Sequence, residues 1–217
     1  MRYRTLGRTG LRCSEIGLGT WSFSSTAYGN CSEREAIETI REAVARGVNV
    51  FDTSPMYGTQ DRVGISEEIL GKGLAGDRDR VVVATKFGRI PGHPARFDAR
   101  RARESVEGSL RRLGTDRVEI LFFHSPFGPE EIVEDVWDAL EALRRQGKIR
   151  FVGHSISKFR ETEPMARSWA AAGRIDVVQV VYSLLNREST GLIRDLGRAG
   201  IGIVARECLA NGFLSGA

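Results

Sequence analysis

Short apolar runs recur along this 217-residue chain, and a stretch of helical spacing follows most of them. The runs lie at residues 16–21, 48–51, 81–85, 118–123, 149–153, 177–181 and 202–205. Between the first two, apolar side chains return every three or four positions, at Ala36, Ile37, Ile40, Ala43 and Val44. That spacing predicts an amphipathic helix. Ser32-Glu33-Arg34-Glu35 opens it with a capping signature, and Gly47 stops it. Similar reasoning predicts a short helix near 66–74 and longer ones over 98–113, 129–146, 158–172 and 189–199, with Gly114 and Gly147 closing two of them. Residues 3–16, with Gly7 and Gly10 at the turns, predict a small hairpin ahead of the first strand. Strands alternating with helices of this length imply a parallel sheet with right-handed crossovers. No long linker, low-complexity tract or shift in composition breaks the pattern, which predicts one domain over 1–217.

Three successive runs finish on a titratable side chain. Val48-Asn49-Val50-Phe51 ends on Asp52, Val81-Val82-Val83-Ala84-Thr85 on Lys86, and Ile120-Leu121-Phe122-Phe123 on His124. The loop after the first, Thr53-Ser54-Pro55-Met56-Tyr57-Gly58, carries a phenol. Each has a plainer use alone: Asp52 as a turn cap, Tyr57 as a half-buried loop aromatic, Lys86 as a snorkelling lysine, His124 as a satisfied core imidazole. Their common position at strand ends is what points to chemistry. No Gly-x-Gly-x-x-Gly follows any strand, since Gly17-Leu18-Gly19 lacks the third glycine, so a Rossmann fingerprint is absent. Polar strand ends instead favour a βα barrel, whose active sites sit at that rim. The expected fold is therefore α/β, a (β/α)8 TIM-barrel type with an N-terminal hairpin. Seven strand–helix starts are present, which leaves the eighth unit missing.

Composition removes several function classes. Hydrophobic residues at 41% and charged residues at 28% suit an ordinary soluble protein. The net charge of +4 is spread along the chain. Its densest basic patch, Arg100, Arg101, Arg103, Arg111 and Arg112, is interleaved with Glu104 and Glu107 and reads as a solvated helix face, so no nucleic-acid partner is expected. Apolar runs of strand length predict no membrane span, and the N-terminus lacks the apolar core of a signal peptide. Cys13, Cys31 and Cys208 form no paired spacing, which predicts free thiols in a reducing cytoplasm. No His/Cys/Asp spacing suggests a metal site. His93 and His154 are read as structural, and no nucleophile elbow supports a hydrolase triad. Only four of the 32 basic residues are lysines. A compact ammonium at a strand end, in a chain that otherwise prefers arginine, strengthens the case for Lys86.

With the strand ends assembled, the chain resembles an aldo-keto reductase. The resemblance runs through Gly19-Thr20-Trp21, Phe51-Asp52-Thr53-Ser54-x-x-Tyr57-Gly58, Glu67-Glu68-Ile69-Leu70-Gly71, Ala84-Thr85-Lys86, Ser109-Leu110-Arg111-Arg112-Leu113, Gly147-Lys148-Ile149-Arg150 and Gln179-x-x-Tyr182-Ser183. It implies a (β/α)8 barrel, NADP(H) as hydride carrier, a small-molecule carbonyl or alcohol as substrate, and a tetrad of Asp52, Tyr57, Lys86 and His124. Gly19, Thr20 and Trp21 would line the nicotinamide end, Ser155 and Gln179 would grip its amide, and Arg206 and Leu209 would lie near the pyrophosphate or on the ring. Two departures stand out. Ser155-Ile156 replaces the family's usual serine–asparagine pair. Family members also continue into an eighth strand and the loop and helix that hold the 2′-phosphate.

A phenol titrates near pKa ~10, and a neighbouring ammonium lowers that value, which is the expected task of Lys86 beside Tyr57. Asp52 would be the counter-ion that makes a buried ammonium tolerable, and His124 would donate to the carbonyl oxygen. The alternative is a truncated, catalytically impaired barrel that serves as a binding or regulatory protein. A cofactor-independent lyase or isomerase on the same rim would turn over without nucleotide. If the barrel stays open, its first and seventh strands expose edges that invite self-association. Loops 22–30, 87–97 and 125–129 are expected to shape the substrate pocket.

Overall fold

The computed structural model describes residues 1–24 and 30–216. Strands β1 (Tyr3–Thr5) and β2 (Arg12–Ser14) form the antiparallel hairpin. The main sheet is parallel and runs in chain order through β3 (Leu18–Gly19), β4 (Val50–Asp52), β5 (Val82–Phe87), β6 (Val118–His124), β7 (Ile149–Ser155), β8 (Val177–Val181) and β9 (Gly202–Arg206). Helices α1 (Glu33–Ala45), α2 (Ile65–Gly73), α3 (Ala99–Leu113), α4 (Val136–Arg145), α5 (Phe159–Ala171) and α6 (Thr190–Arg198) supply the crossovers. The sheet curls into an open barrel, a (β/α)8 arrangement without its last unit. No helix among the described residues is long and apolar enough to cross a membrane.

Helix starts follow the signals in the chain. At α1 the Ser32 hydroxyl accepts the Glu35 N–H while the Glu35 carboxylate accepts the Ser32 N–H, a complete capping box. At α3, Asp98 accepts the Arg101 N–H at 2.7 Å, and Gly114 ends the helix in the left-handed region.

Alternation along the strands sorts the core into two layers. Phe51, Val83, Phe87, Leu121, Phe123, Val178 and Val180 face outward and pack under the helices. Val82, Ala84, Ile120, Phe122 and Val177 face the barrel axis, where Leu11 and Cys13 of the hairpin join them. Successive side chains point to opposite faces of a strand. Inward parity therefore carries on to Gly19, Asp52, Lys86, His124, Ser155, Gln179 and Arg206, one residue from each strand. The interior leaves little room: a Cβ on Gly153 would stand 2.4 Å from Phe122 Cε1.

The hairpin plugs the N-terminal end of this interior. The Arg8 N–H donates to Gly200 O at 2.6 Å. Gly7 has a φ of 52°, and a Cβ there would lie 2.3 Å from the Gly202 backbone nitrogen. Left-handed strain and a clash with main chain act together, and no rotamer change relieves either. Gly7→Ala should lower stability by about 2–3 kcal/mol, seen as a lower urea midpoint at unchanged slope. An unchanged midpoint would show that the plug can shift freely.

Two expected elements come out differently. The run 16–21 gives only a two-residue strand, Leu18–Gly19, followed by a 3-10 turn at Trp21–Phe23. Thr20 O accepts the Phe23 N–H at 3.1 Å and the Ser66 hydroxyl at 2.8 Å, so the chain turns at Thr20 instead of continuing the ladder. The single helix over 129–146 is broken into a 3-10 turn, Pro129–Glu131, and α4. The intervening Ile132 bridges Phe97, and the Val133 N–H donates to Phe97 O at 3.0 Å. Backbone groups committed to that pairing cannot also serve a helix. Of the loop 22–30, residues 25–29 lie outside the described residues.

Candidate active site

Inward parity delivers side chains to the C-terminal mouth, and the loop after β4 brings the phenol to meet them. That loop is short and tightly folded. The Tyr57 N–H donates to Ser54 O at 3.0 Å, and Tyr57 O accepts the Ser66 N–H at 3.1 Å beside the start of α2. Gly58 is required behind the tyrosine, because a Cβ there would stand 2.3 Å from Arg62 O.

Lys86, with only 1% of its side chain exposed, is the hub. Its ammonium donates to Asp52 Oδ2 at 2.7 Å, to Thr53 O at 2.9 Å and to the Tyr57 hydroxyl oxygen at 3.2 Å. A lysine ammonium has three protons, so each has an acceptor and the group is fixed in direction. Burial works against the charge on Lys86, but Asp52 and then Tyr57 outweigh it and raise its pKa above the ordinary value. The ammonium is retained.

Asp52 is held from its other side as well. Its Oδ1 accepts the Gln179 amide at 2.9 Å, and Gln179 Oε1 in turn accepts the Ser155 hydroxyl at 2.9 Å. A continuous hydrogen-bonded chain thus runs Ser155, Gln179, Asp52, Lys86, Tyr57 across the mouth. The His124 ring stands edge-on to Tyr57, centroids 6.1 Å apart, and its Nδ1 lies 3.0 Å from Ser54 Oγ. Burial first, then the positive charges of Lys86, Arg89 and Arg206, push the His124 pKa well below the usual imidazole value. The imidazole is neutral.

One expectation reverses. The Tyr57 pKa is raised, not lowered, because burial outweighs the opposing effect of Lys86, and Asp52 adds to the rise. A phenol so placed stays protonated through neutral pH.

The remaining residues are placed less uniformly. Thr20 is fully buried with a hydroxyl that has no partner among the described residues, Gly19 has open space where a Cβ would be, and Trp21 is 45% exposed on its 3-10 turn. Arg206 ends β9, donates through Nη2 to Ile156 O at 2.9 Å and pairs with Glu207, while its Nε is buried with no partner among the described residues. Leu209 is 58% exposed on the following loop, and no described contact joins it to the tetrad. His154 has outward parity and packs on Trp169, away from the mouth.

Two residues that bear on the site lie outside the strand-end pattern. Ser54 touches His124 directly. Arg89 donates to His124 O and Ser125 O at 2.8–3.1 Å, which clamps the turn where Ser125 takes a left-handed φ of 53°. Ser54 resembles any turn serine, and Arg89 any loop arginine. Neither carries a periodic signal.

Comparison with known proteins is consistent along the whole chain. Residues 15–217 match the Aldo/keto reductase family. The chain is 37% identical over 193 residues to the aldo-keto reductase YhdN of Bacillus subtilis, covering 87% of this chain and 56% of that protein. It is 36% identical over 219 residues to the L-galactose dehydrogenase of Arabidopsis thaliana, covering 98% of this chain and 66% of that one. The chain thus spans less than two thirds of the length of either relative. In structure it superposes on the holo form of the aldo-keto reductase AKR11C1 of Bacillus halodurans with a TM-score of 0.85 at 27% identity, covering 100% of this chain and 70% of the other.

Proposed function

Because the chain belongs to the aldo-keto reductase family, we propose that it forms one barrel domain of a cytoplasmic, NADP(H)-dependent oxidoreductase that interconverts an aldehyde or ketone with its alcohol. The observation that carries this reading is the three-way contact of Lys86 with Asp52, Thr53 and Tyr57, beside a neutral His124.

The residues at the mouth fit the nicotinamide end of the cofactor. Gly19 leaves space above the rim; Ser155 and Gln179, bonded to each other and to Asp52, retain a hydroxyl lone pair and one amide proton for a carboxamide; and Arg206, whose buried Nε has no partner among the described residues, would lie near the pyrophosphate or on the ring. When bound, NADPH supplies the hydride. The chain's own residues do the rest. His124 donates to the carbonyl oxygen, which orients and polarises it without adding a second positive charge beside the Lys86 ammonium. Tyr57 gives its proton to the oxygen as negative charge develops there. Lys86 stabilises the phenolate left behind, and Asp52 keeps that ammonium charged and aimed. Gln179 and Ser155 hold Asp52 in place.

A protonated phenol suits the reductive direction, since the acid is already in its competent form. Oxidation of an alcohol needs the phenolate and should therefore rise with pH while reduction stays level through neutrality. The direct test is to titrate the protein with NADPH, using Trp21 fluorescence, and to follow NADPH consumption with a panel of aldehydes and ketones. Saturable binding with carbonyl-dependent consumption is expected. Absence of binding at millimolar cofactor would favour a non-catalytic barrel, and turnover without nucleotide would favour a lyase or isomerase.

A further inference from the structure

Ser54 sits between the acid and the phenol in sequence, is fully buried, and has no part in the proton transfer described above. Its hydroxyl has two described neighbours. It accepts the Met56 N–H at 3.1 Å and lies 3.0 Å from His124 Nδ1. We propose that Ser54 is a positioning residue that fixes the His124 proton on Nε2, the nitrogen left free at the mouth.

A serine hydroxyl has one proton to give and two lone pairs to fill. With the Met56 N–H on one lone pair, the proton has one acceptor among the described residues, and that is His124 Nδ1. If Nδ1 carried the ring proton instead, Ser54 Oγ would accept twice and its own proton would be buried with nothing to receive it. A buried donor without an acceptor costs a substantial desolvation penalty. Nε2 makes no hydrogen bond to the described residues and is not among their buried, unpartnered nitrogens. Donation by Ser54 to Nδ1 therefore leaves the Nε2–H without a partner among the described residues, available to a carbonyl oxygen.

Ser54 also accepts the Tyr57 N–H through its main-chain oxygen at 3.0 Å. A single turn thus orients both groups that address the substrate oxygen. Arg89 completes the setting, clamping the main chain that follows His124. A serine that merely capped its turn would bond Met56 in the same way but would leave the ring tautomer free. That difference is measurable.

The catalytic part of this inference rests on the carbonyl reductase reading, whereas the tautomer does not, and the experiment separates them. A long-range proton–nitrogen correlation spectrum of the wild-type protein, without cofactor or substrate at neutral pH, resolves the tautomers of its three histidines. His124→Gln assigns the relevant signal by its loss. The expected result is a single His124 tautomer protonated at Nε2, replaced by a mixture in Ser54→Ala and restored in Ser54→Thr. With cofactor and a carbonyl substrate, Ser54→Ala should lower kcat about tenfold at unchanged NADPH affinity. A wild-type proton on Nδ1, or a tautomer unmoved by Ser54→Ala, would overturn the proposal even if that variant were less active. Absence of carbonyl reduction in the wild type would refute the functional reading and leave the tautomer result standing on its own.

Discussion

Tyr57→Phe should lower kcat for carbonyl reduction by about 10²–10⁴-fold and leave NADPH affinity as it is. The substitution is nearly isosteric. A phenyl ring keeps the edge-on contact with His124 at 6.1 Å between centroids and the same packing around the loop. What disappears is the only hydroxyl among the described residues that Lys86 addresses directly, at 3.2 Å. The ammonium keeps its two stronger acceptors, Asp52 and Thr53 O, so the site should not collapse. Loss confined to kcat identifies a group that acts as the bond changes form. Wild-type turnover by the phenylalanine variant would remove Tyr57 as proton donor and, with it, the proposed chemistry.

Acid should destabilise this protein through a residue remote from the mouth. His154 is completely buried, packs on Trp169 at 5.0 Å between centroids, and has no hydrogen-bond partner among the described residues for either ring nitrogen. Burial pushes its pKa from an ordinary 6.5 down to about 3. The folded protein thus holds the neutral ring between these two values, while the unfolded chain takes up a proton. Stability from this group is complete above pH 6.5 and is lost as pH falls toward 3, at about 1.4 kcal/mol per pH unit. Between pH 6.5 and 4 the loss amounts to about 3 kcal/mol. His154→Phe should flatten the dependence by that amount, since it fills the same aromatic cluster without a titratable group. Urea midpoints taken across this range for both proteins are the measurement. Parallel curves would mean that the folded protein lets this ring take up its proton at an ordinary pH.

Much of the architecture is legible in the chain because one simple period governs it. Apolar runs mark the strands, the alternation within them assigns faces, and Asp52, Lys86, His124, Ser155, Gln179 and Arg206 share the inward parity of their strands. The same parity explains why His154 differs from His124 although both lie near a strand end. The break at residues 132–133 is not legible, because Ile132 and Val133 fit a helical spacing and only the pairing with Phe97 overrides it. The direction of the Tyr57 shift is not legible either. Neighbours can be inferred from motif order, but the depth of burial that outweighs Lys86 depends on how the whole mouth packs. The bond from Gln179 to Asp52 joins residues 127 positions apart, and no local signal announces it.

The two-residue period also limits how such a mouth can change over time. Inserting one residue early in β5 would put Thr85 where Lys86 now stands and turn the ammonium into the aromatic layer beneath the helices. Inserting two would lengthen the wall and leave the ammonium on the correct side. Lineages descended from this chain should therefore show length changes of any size in loops other than the one that carries Ser54 and Tyr57, but only even ones within the strands.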